Sequence, residues 1–396
     1  MLDLGFLALL TFGSAGVGLR VLRRLGLIPE HPADALALAV PLGLGILASA
    51  ALGLGEFGLL NPPGLAILSL FGLMIGARDA VRGLARLLVE PIRIAVGRCA
   101  EAVLTGGADL SRPRSRASSE TGPTQVGPTE SPRLAPGRIS SPFEHLLSAA
   151  LAATLFGTLL TALAPVTDGD ALCYHLQVPK LFLSQGAVGF EPDLHETVYP
   201  LLTEMLYAVA LAARGPVACR LVQWLLGLVF AANVAALARP CLKDRAWWAG
   251  AVALPVPAVS NGMSAPLNDV ALAAFGTAAL FAWTRSHDRP TRAAALAGGF
   301  AGLALGVKYP ALVLTGLLGL ASALAGPLCR SREAHHACDD QRDWCAPGTL
   351  RGAVAFGLAA LLVGGCWYLR AFIHTGNPVF PFFRHAFGGS GLDEVL

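Results

Sequence analysis

Apolar residues in this chain fall into long blocks separated by short polar segments, rather than recurring every three or four positions as on an amphipathic surface helix. The blocks at 4–19, 33–55 and 62–77 approach the roughly 20 residues that a helix needs to cross the hydrocarbon of a bilayer. Further blocks follow at 146–165, 199–213, 217–238, 247–259, 269–283, 293–307, 311–325 and 352–373. The pattern predicts an all-α fold, a polytopic transmembrane bundle of about nine to eleven helices.

The composition supports a membrane protein and excludes several other classes. Of the 396 residues, 54% are hydrophobic and 14% are charged, with a mean hydropathy of +0.60, whereas soluble domains carry about 25% charged residues. A collagen, a disordered chain and a nucleic-acid module are excluded, so we expect no nucleic-acid partner. The eight cysteines show no paired spacing that would indicate a disulfide framework. The net charge of +3 is too small to indicate a partner.

The placement of arginine orients the predicted bundle, because Lys and Arg collect on the cytoplasmic side of a membrane. Arg20, Arg23 and Arg24 follow the first apolar block; a secretory signal has the reverse order, and we expect the N-terminus outside. Ten arginines between residues 78 and 142 indicate a cytoplasmic stretch, first a basic amphipathic helix and then a disordered linker rich in Pro and Ser. The predicted divisions are N-terminal transmembrane helices at 1–78, that helix and linker at 79–142, and a second transmembrane region at 143–396.

Two later basic gaps place scattered charged residues on one face of the membrane. Residues 285–292 and 329–351 are rich in arginine and are predicted to be cytoplasmic. The polar segment 166–198 is then a non-cytoplasmic first loop bearing short surface helices. Counting helices from these anchors brings five charged residues to that same face, namely Asp168, Asp170, Asp269, Lys308 and Arg370. Although they are far apart in sequence, they are predicted to form one site.

The count of crossings leaves one conflict. Three apolar blocks lie between the outer loop ending at residue 198 and the outer turn near Pro266, and an odd number of crossings cannot return to the same face. Both 199–213 and 247–259 are short, and one of them must dip into the membrane or lie in its interface. We favour 199–213 as the block that does not cross.

The densest group of polar residues runs from Asp168 to Lys180, directly after a predicted span. A carboxylate at an apolar interface tends to have a raised pKa, which suits a general base; alternatively, Asp168 caps the following helix. Asp269 likewise either serves a reaction or caps its own helix. The cations Lys308 and Arg370 either extend to the lipid headgroups or hold a phosphate. Taken together, acids and cations on one face fit a phosphate-bearing lipid substrate.

A second polar group lies in the predicted cytoplasmic gap. His335, His336, Cys338 and Cys345 are close in sequence, but their spacing matches no regular zinc pattern. We interpret them as part of a solvated loop. No dedicated cage of metal ligands is evident elsewhere, so the cofactor is unknown and dependence on a divalent metal is left open.

Four sequence blocks resemble those of bacterial GT-C-type membrane glycosyltransferases, distant relatives of the protein O-mannosyltransferases and the lipid A aminoarabinose transferases. The first block contains DALCYHLQVPKLFL at 170–183, DLH at 193–195 and YPLLTEMLY at 199–207. The others are NDVALAAF at 268–275, GLALGVKYP at 302–310 and WYLRAFIHTGNPVFP at 367–381. The blocks follow the order found in that family, and the resemblance extends over about residues 143–387.

The resemblance implies an active site under the first outer loop, a polyprenyl-phosphate-linked sugar as donor, and an acceptor that the sequence does not identify. By motif position Asp170 is the catalytic base, with Asp168 beside it and Asp269 as the supporting acid. Lys308 and Arg370 are candidates for the donor phosphate. The remaining substrate-binding candidates in these blocks are Tyr174, His175, Lys180, His195, Glu204, Tyr309 and Asn377. The expected location is the inner membrane of a bacterium, where membrane lipid surrounds the bundle and the product belongs to the cell envelope.

The chain departs from the family pattern in two ways. It carries extra N-terminal spans followed by the insertion, and it ends at Leu396, whereas family members usually continue with more helices. A fragment, a truncated gene product and a shortened member are all compatible with that end, which leaves a catalytically inactive scaffold as one alternative. The other alternative is a transporter or flippase of lipid-linked saccharides, which would place charges along a path through the bundle.

Overall fold

The computed structural model describes residues 1–106, 142–285, 289–333 and 350–387. Within these ranges the chain forms fourteen α-helices, one π-helical turn and two short 3-10 turns, without a β-strand. This confirms the predicted all-α polytopic bundle. Six of the helices are long and apolar enough to cross a membrane. The predicted linker after Gly106 and the cluster around His335 lie outside the described residues.

The helices follow one another with short connections. The first seven are α1 (Leu2–Leu25), α2 (Pro32–Glu56), α3 (Pro62–Gly106), α4 (Pro142–Ala162), α5 (Gln177–Gln185), α6 (Leu202–Ala213) and α7 (Pro216–Leu242). The others are α8 (Trp247–Ala253), α9 (Pro257–Gly262), α10 (Asp269–Thr284), α11 (Pro290–Leu305), α12 (Ala311–Glu333), α13 (Leu350–Thr375) and α14 (Arg384–Phe387). The π-helical turn, Ala171–His175, precedes α5.

The N-terminal helices α1, α2 and α3 pack closely through small residues. A Cβ atom added at Gly16 of α1 would meet the carbonyl oxygen of Gly76 in α3 at 2.2 Å, and one added at Gly43 of α2 would meet Ser14. Such contacts let backbones approach closely in a bilayer, where burying apolar surface gives little advantage. Helix α3 continues without a break past residue 78, so the boundary predicted there falls inside a helix.

The bundle has two ends that the side-chain contacts distinguish. We call the end that carries residues 163–201 the loop end. Helix α2 finishes there, because the amide of Val188 donates to Gly55. At the opposite end Arg239 of α7 forms an ion pair of 2.7 Å with Asp34 at the start of α2. Helix α7 therefore runs from the loop end to the opposite end.

Helix α6 begins and finishes at the loop end, which resolves the count of crossings. Its first amide, that of Leu202, donates to Gly306 at the end of α11. Directly after its last turn, Arg214 pairs with Asp3 at the start of α1. The return from the opposite end is made instead by the two short helices α8 and α9, which are separated at Pro255. The structure thus agrees with 199–213 as the block that does not cross.

Helices α10, α11 and α13 form the other half of the bundle; α10 leaves the loop end, and α11 and α13 return to it. Arg292 near the start of α11 donates to Leu25 at the opposite end. Gly298 and Gly302 of α11 lie against the backbone of α13 at residues 356 and 360, so these two helices run in parallel. Both therefore finish at the loop end. The ends of α11 and α13 and the start of α10 face the first loop.

Candidate functional site

The first loop presents its acidic residues at the start of a π-helical turn. The amide of Leu172 donates to the carbonyl of Asp168, and Leu176 donates to Ala171, which closes the wider turn. Asp170 precedes this turn, its side chain is exposed, and it forms no hydrogen bond or ion pair with any described residue. Asp168 is half-buried and interacts electrostatically with Arg220 of α7. No side chain caps this turn with a hydrogen bond, so the structure does not support the capping interpretation here. Turns of the π type occur often at functional sites.

Tyr174 lies among the carboxylates of the loop end. Its side chain is half-buried, and burial together with the negative charges of Glu204, Asp170, Asp269 and Glu196 raises the pKa of its phenol well above the usual value. The hydroxyl therefore stays protonated at neutral pH. Because all of these carboxylates act on one phenol, the π-helical turn, α6 and the start of α10 converge on the same place.

A buried polar network lies beneath Tyr174 and the exposed Asp170. Nδ1 of His175 is 2.6 Å from Oε1 of Glu204, and both side chains are excluded from solvent. The amide nitrogen of Asn268 donates at 3.5 Å to the same oxygen and at 3.5 Å to the carbonyl of Val307. The ring of Tyr174 packs against that of His175, with centroids 3.9 Å apart. The network joins the first loop to α6 and α10.

Asp269 and Lys308 meet as an exposed ion pair. The Nζ atom of Lys308 is 2.8 Å from Oδ1 of Asp269, and their side chains are 36% and 62% exposed. The start of α10 carries the acid, and the turn after α11 carries the cation. A pair in this setting contributes only about 0–1 kcal/mol, so an incoming anion can displace the carboxylate from the ammonium group.

Arg370, by contrast, is enclosed by the protein. Its guanidinium donates to the carbonyls of Thr197 and Gly189 in the first loop, and Nε is 3.5 Å from Glu56 at the end of α2. The side chain is 7% exposed. Arg370 thus fastens the first loop to α13 and α2. Its predicted role as a phosphate ligand stays a prediction.

Three further predicted residues differ in exposure: Asn377 is buried in a turn, whereas His195 and Lys180 are accessible to solvent. Asn377 is fully buried, and its amide donates at 2.7 Å to Phe382 and accepts from Val379, so that it stabilises the turn after α13. His195 is partly exposed and its ring lies edge-on to Tyr199. Lys180 is exposed on α5.

An aromatic cluster borders the exposed pair. The ring of Tyr309, next in sequence to Lys308, lies within about 6 Å of the rings of Tyr199, Tyr368 and Phe382, all edge to face. Its hydroxyl donates at 2.6 Å to the carbonyl of Phe380, and burial raises the pKa of this phenol. The prediction named Tyr309 alone, whereas its aromatic neighbours and Asn268 were not among the predicted site residues. Tyr199, Tyr368 and Asn268 lie in the sequence blocks that carry the resemblance, but no role was predicted for them.

Among the described residues, no group of three or more His, Cys, Asp or Glu side chains is arranged to hold a metal ion. An apolar cavity of about 550 Å³ lies elsewhere, between α1, α2, α3 and the last turns of α6. Leu9, Ile46 and Phe71 line it and are themselves exposed on the lipid-facing surface. Helix α6 therefore has the buried network at its start and the cavity at its end.

The family model of the dolichyl-phosphate-mannose-protein mannosyltransferases matches residues 197–335. This match confirms the resemblance to GT-C-type membrane glycosyltransferases over about a third of the chain. It includes Glu204, Asn268, Asp269 and Lys308, and it begins after the π-helical turn that follows Asp170. No curated protein and no solved structure matches the chain.

Proposed function

We propose that this protein is a membrane glycosyltransferase that moves a sugar from a polyprenyl-phosphate donor to an acceptor at the loop end. The observation that carries the proposal is the meeting of an unpaired carboxylate, Asp170, with the exposed pair of Asp269 and Lys308 around Tyr174. A carboxylate and a displaceable cation are the two groups that transfer from a phosphate-linked sugar requires. The family match to residues 197–335 supports the same class of reaction.

In this proposal Asp170 accepts the proton of the acceptor hydroxyl. The acceptor oxygen then forms a bond to the anomeric carbon, while the bond from that carbon to the phosphate oxygen breaks and the lipid phosphate leaves with the electron pair. General-base catalysis of this kind contributes about 10²–10⁴-fold to a rate. Asp170 suits the role because its side chain is exposed, and Asp168 stands beside it as the second candidate.

Lys308 is the proposed ligand of the donor phosphate. Its bond to Asp269 is a surface ion pair, so exchanging a carboxylate for a phosphate costs little. An ammonium group held near the phosphate stabilises the charge that develops as this group leaves. Asp269, once released, is free to contact a sugar hydroxyl, which fits the supporting role that the resemblance implies.

A lipid donor also agrees with the apolar cavity. Its walls are almost entirely apolar, and it opens between helices towards the surrounding lipid. Because α6 runs from the carboxylates to the cavity wall at Val209, a donor with its phosphate near Lys308 has hydrocarbon-binding space at the other end of this short helix. We propose that part of the polyprenyl chain lies there.

The side of the membrane follows from arginine. Arg20 and Arg23 lie at the opposite end, where they pair with Asp79, and arginine favours the cytoplasmic side. We therefore place the loop end outside the cytoplasm, in the inner membrane of a bacterium. Labelling of an introduced cysteine at the exposed position Asp193 with a membrane-impermeant maleimide tests this. Protection of that cysteine in intact cells would reverse the orientation.

The test of the reaction is a pair of variants in isolated membranes. Asp170→Asn removes the base and keeps the shape, whereas Asp193→Asn changes an exposed acid in the same loop. With polyprenyl-phosphate sugars of several kinds and membrane glycolipids as acceptors, we expect about 10³-fold slower transfer for Asp170→Asn and no change for the control. Equal rates in both would remove Asp170 as the base. Movement of the donor across the bilayer without transfer would favour the transporter.

A further inference from the structure

Glu204 occupies an unusual position for a carboxylate. It lies in the first turn of α6, in an otherwise apolar stretch, and its side chain is 0% exposed. Its ionic partner is His175, which is 2% exposed. Because an unpaired charge is costly to bury, a carboxylate at this position needs the partner that His175 provides. Because both side chains are buried, neither contacts a substrate that binds at the exposed residues.

The neighbours of Glu204 show what the network holds. His175 is the last residue of the π-helical turn that begins after Asp170. Asn268, which donates to Glu204, directly precedes Asp269. The same amide group of Asn268 also reaches the carbonyl of Val307, directly before Lys308. One carboxylate is thus linked to the three chain segments that present the proposed base, the supporting acid and the phosphate ligand.

A second contact of α6 acts in the same direction. The amide of Leu202 donates at 2.7 Å to the carbonyl of Gly306, which fixes the start of α6 against the turn that carries Lys308. One turn beyond Glu204, the hydroxyl of Tyr207 donates to the carbonyl of Leu267, directly before Asn268. The first two turns of α6 therefore reach the segments before Asp269 and Lys308 through backbone groups as well.

We propose that Glu204 is a positioning residue, which holds Asp170, Asp269 and Lys308 in register through His175 and Asn268. This inference rests on the proposed function, since it takes those three groups to be the reacting ones. It assigns His175 and Glu204 to the support of the site rather than to contact with the substrate. Precise placement matters because a displacement of about 1 Å can cost 10²-fold in rate.

The incomplete bonding of the network supports a role other than packing. Oε2 of Glu204, Oδ1 of Asn268 and the hydroxyl of Thr203 have no hydrogen-bond partner within the described part of the chain. A buried polar atom without a partner costs about 1–3 kcal/mol. Apolar side chains would fill these positions without that cost. The polar groups at these positions are therefore better explained by the chain segments that they connect than by packing alone.

The kinetic test compares two substitutions of Glu204. Glu204→Ala removes both hydrogen bonds, and we expect turnover to fall about 10²-fold while the donor KM changes less than about threefold, because Lys308 still binds the phosphate. Glu204→Gln keeps an oxygen that accepts from His175 and Asn268, and we expect it to stay within about tenfold of the wild type. A rise in KM alone would instead indicate direct contact with the substrate and overturn the proposal.

A double substitution shows whether Glu204 acts through Asp170. In the Asp170→Asn background the base is already absent, so adding Glu204→Ala should cost clearly less than the roughly 10²-fold expected in the wild type, and the cost that remains comes from Asp269 and Lys308. Costs that multiply in full would mean that Glu204 contributes independently of Asp170, which contradicts a role in positioning the base. Asp193→Ala serves as the matched control, because it removes an exposed carboxylate of the same loop.

Hydrogen exchange separates this inference from the reaction itself. In Glu204→Ala we expect amides of residues 171–176 and 268–272 to exchange faster than in the wild type, with residues 32–40, at the opposite end of the bundle, unchanged. This readout needs no substrate. If the wild type transfers no sugar but the exchange changes as expected, the proposed function fails and the positioning network stands. If exchange in both segments is unaltered, the network does not hold them.

Discussion

The charged residues of the loop end divide into an exposed set and a buried set that do different work. Among the residues that the structure describes, Asp170 has no partner and Lys308 is held only by a surface ion pair, so both are available to a ligand. Arg370 and Glu204 are enclosed, and each joins segments that are distant in sequence. Under the proposed function, residues of the same types serve chemistry where water reaches them and hold geometry where it does not.

The sharpest way to break this comparison is to remove the buried cation. In Arg370→Gln the carbonyls of Thr197 and Gly189 lose a charged donor, and each poorly satisfied carbonyl costs about 1–3 kcal/mol. We expect a lower thermal midpoint in detergent and rapid proteolysis within residues 186–198. Unchanged stability with a raised donor KM would move Arg370 into the exposed set, as a phosphate ligand.

Removal of the exposed cation, Lys308, should weaken binding of the donor and leave the stability of the protein almost unchanged. Lys308→Met keeps the length of the side chain and loses the charge that we assign to the donor phosphate. A charge-assisted hydrogen bond contributes about 1.5–3 kcal/mol, so we expect the donor KM to rise about 10–100-fold with little loss of stability. Lys180→Met, on exposed α5, provides a comparison with another predicted cation. An unaltered KM in Lys308→Met would leave the donor phosphate without its proposed ligand.

The sequence predicted the exposed set better than the buried one. Arginine-rich gaps determine which helix ends lie together, because the positive-inside rule applies to each connection separately. That reasoning brought Asp170, Asp269 and Lys308 to one end, where the structure places them. It required no knowledge of side-chain contacts.

The role of the buried set could not be predicted in the same way. Arg370 binds backbone carbonyls of the first loop, and every residue has such a carbonyl, so no sequence pattern marks the partner. Asn268 lies in one of the sequence blocks that carry the resemblance, but nothing in that block indicates its partners. Glu204 did carry a signal, since a carboxylate inside an apolar block needs a partner, but the sequence could not identify that partner as His175.

Tyr174 is half-buried and so lies between the exposed set and the buried set. A substitution of this residue tests whether its phenol takes part in the reaction. Burial and four carboxylates raise its pKa, so the neutral form, which favours folding, persists until the pH rises well above the ordinary value of about 10. We expect Tyr174→Phe to slow transfer about two- to tenfold, which is the effect of losing one hydrogen bond to the substrate. The pH profile between about 6 and 9 should stay the same. A shift of that profile would show that the phenol itself exchanges a proton during the reaction.

The smallest expected effect concerns the lipid-facing half of the bundle. Gly72 lines the apolar cavity, and a Cβ atom there would meet only Val17, at 4.0 Å, so Gly72→Leu should fill the space without moving the backbone. Gly157→Leu is the matched control, because that position on α4 is also open but lies outside the cavity. We expect Gly72→Leu to raise the KM of a long-chain polyprenyl donor about threefold, since displacing one buried methylene of the donor costs about 0.8 kcal/mol. A donor with a short chain should bind equally well to both variants, because it does not reach the cavity. Equal KM values for the long-chain donor in the two variants would show that the cavity does not bind the polyprenyl chain.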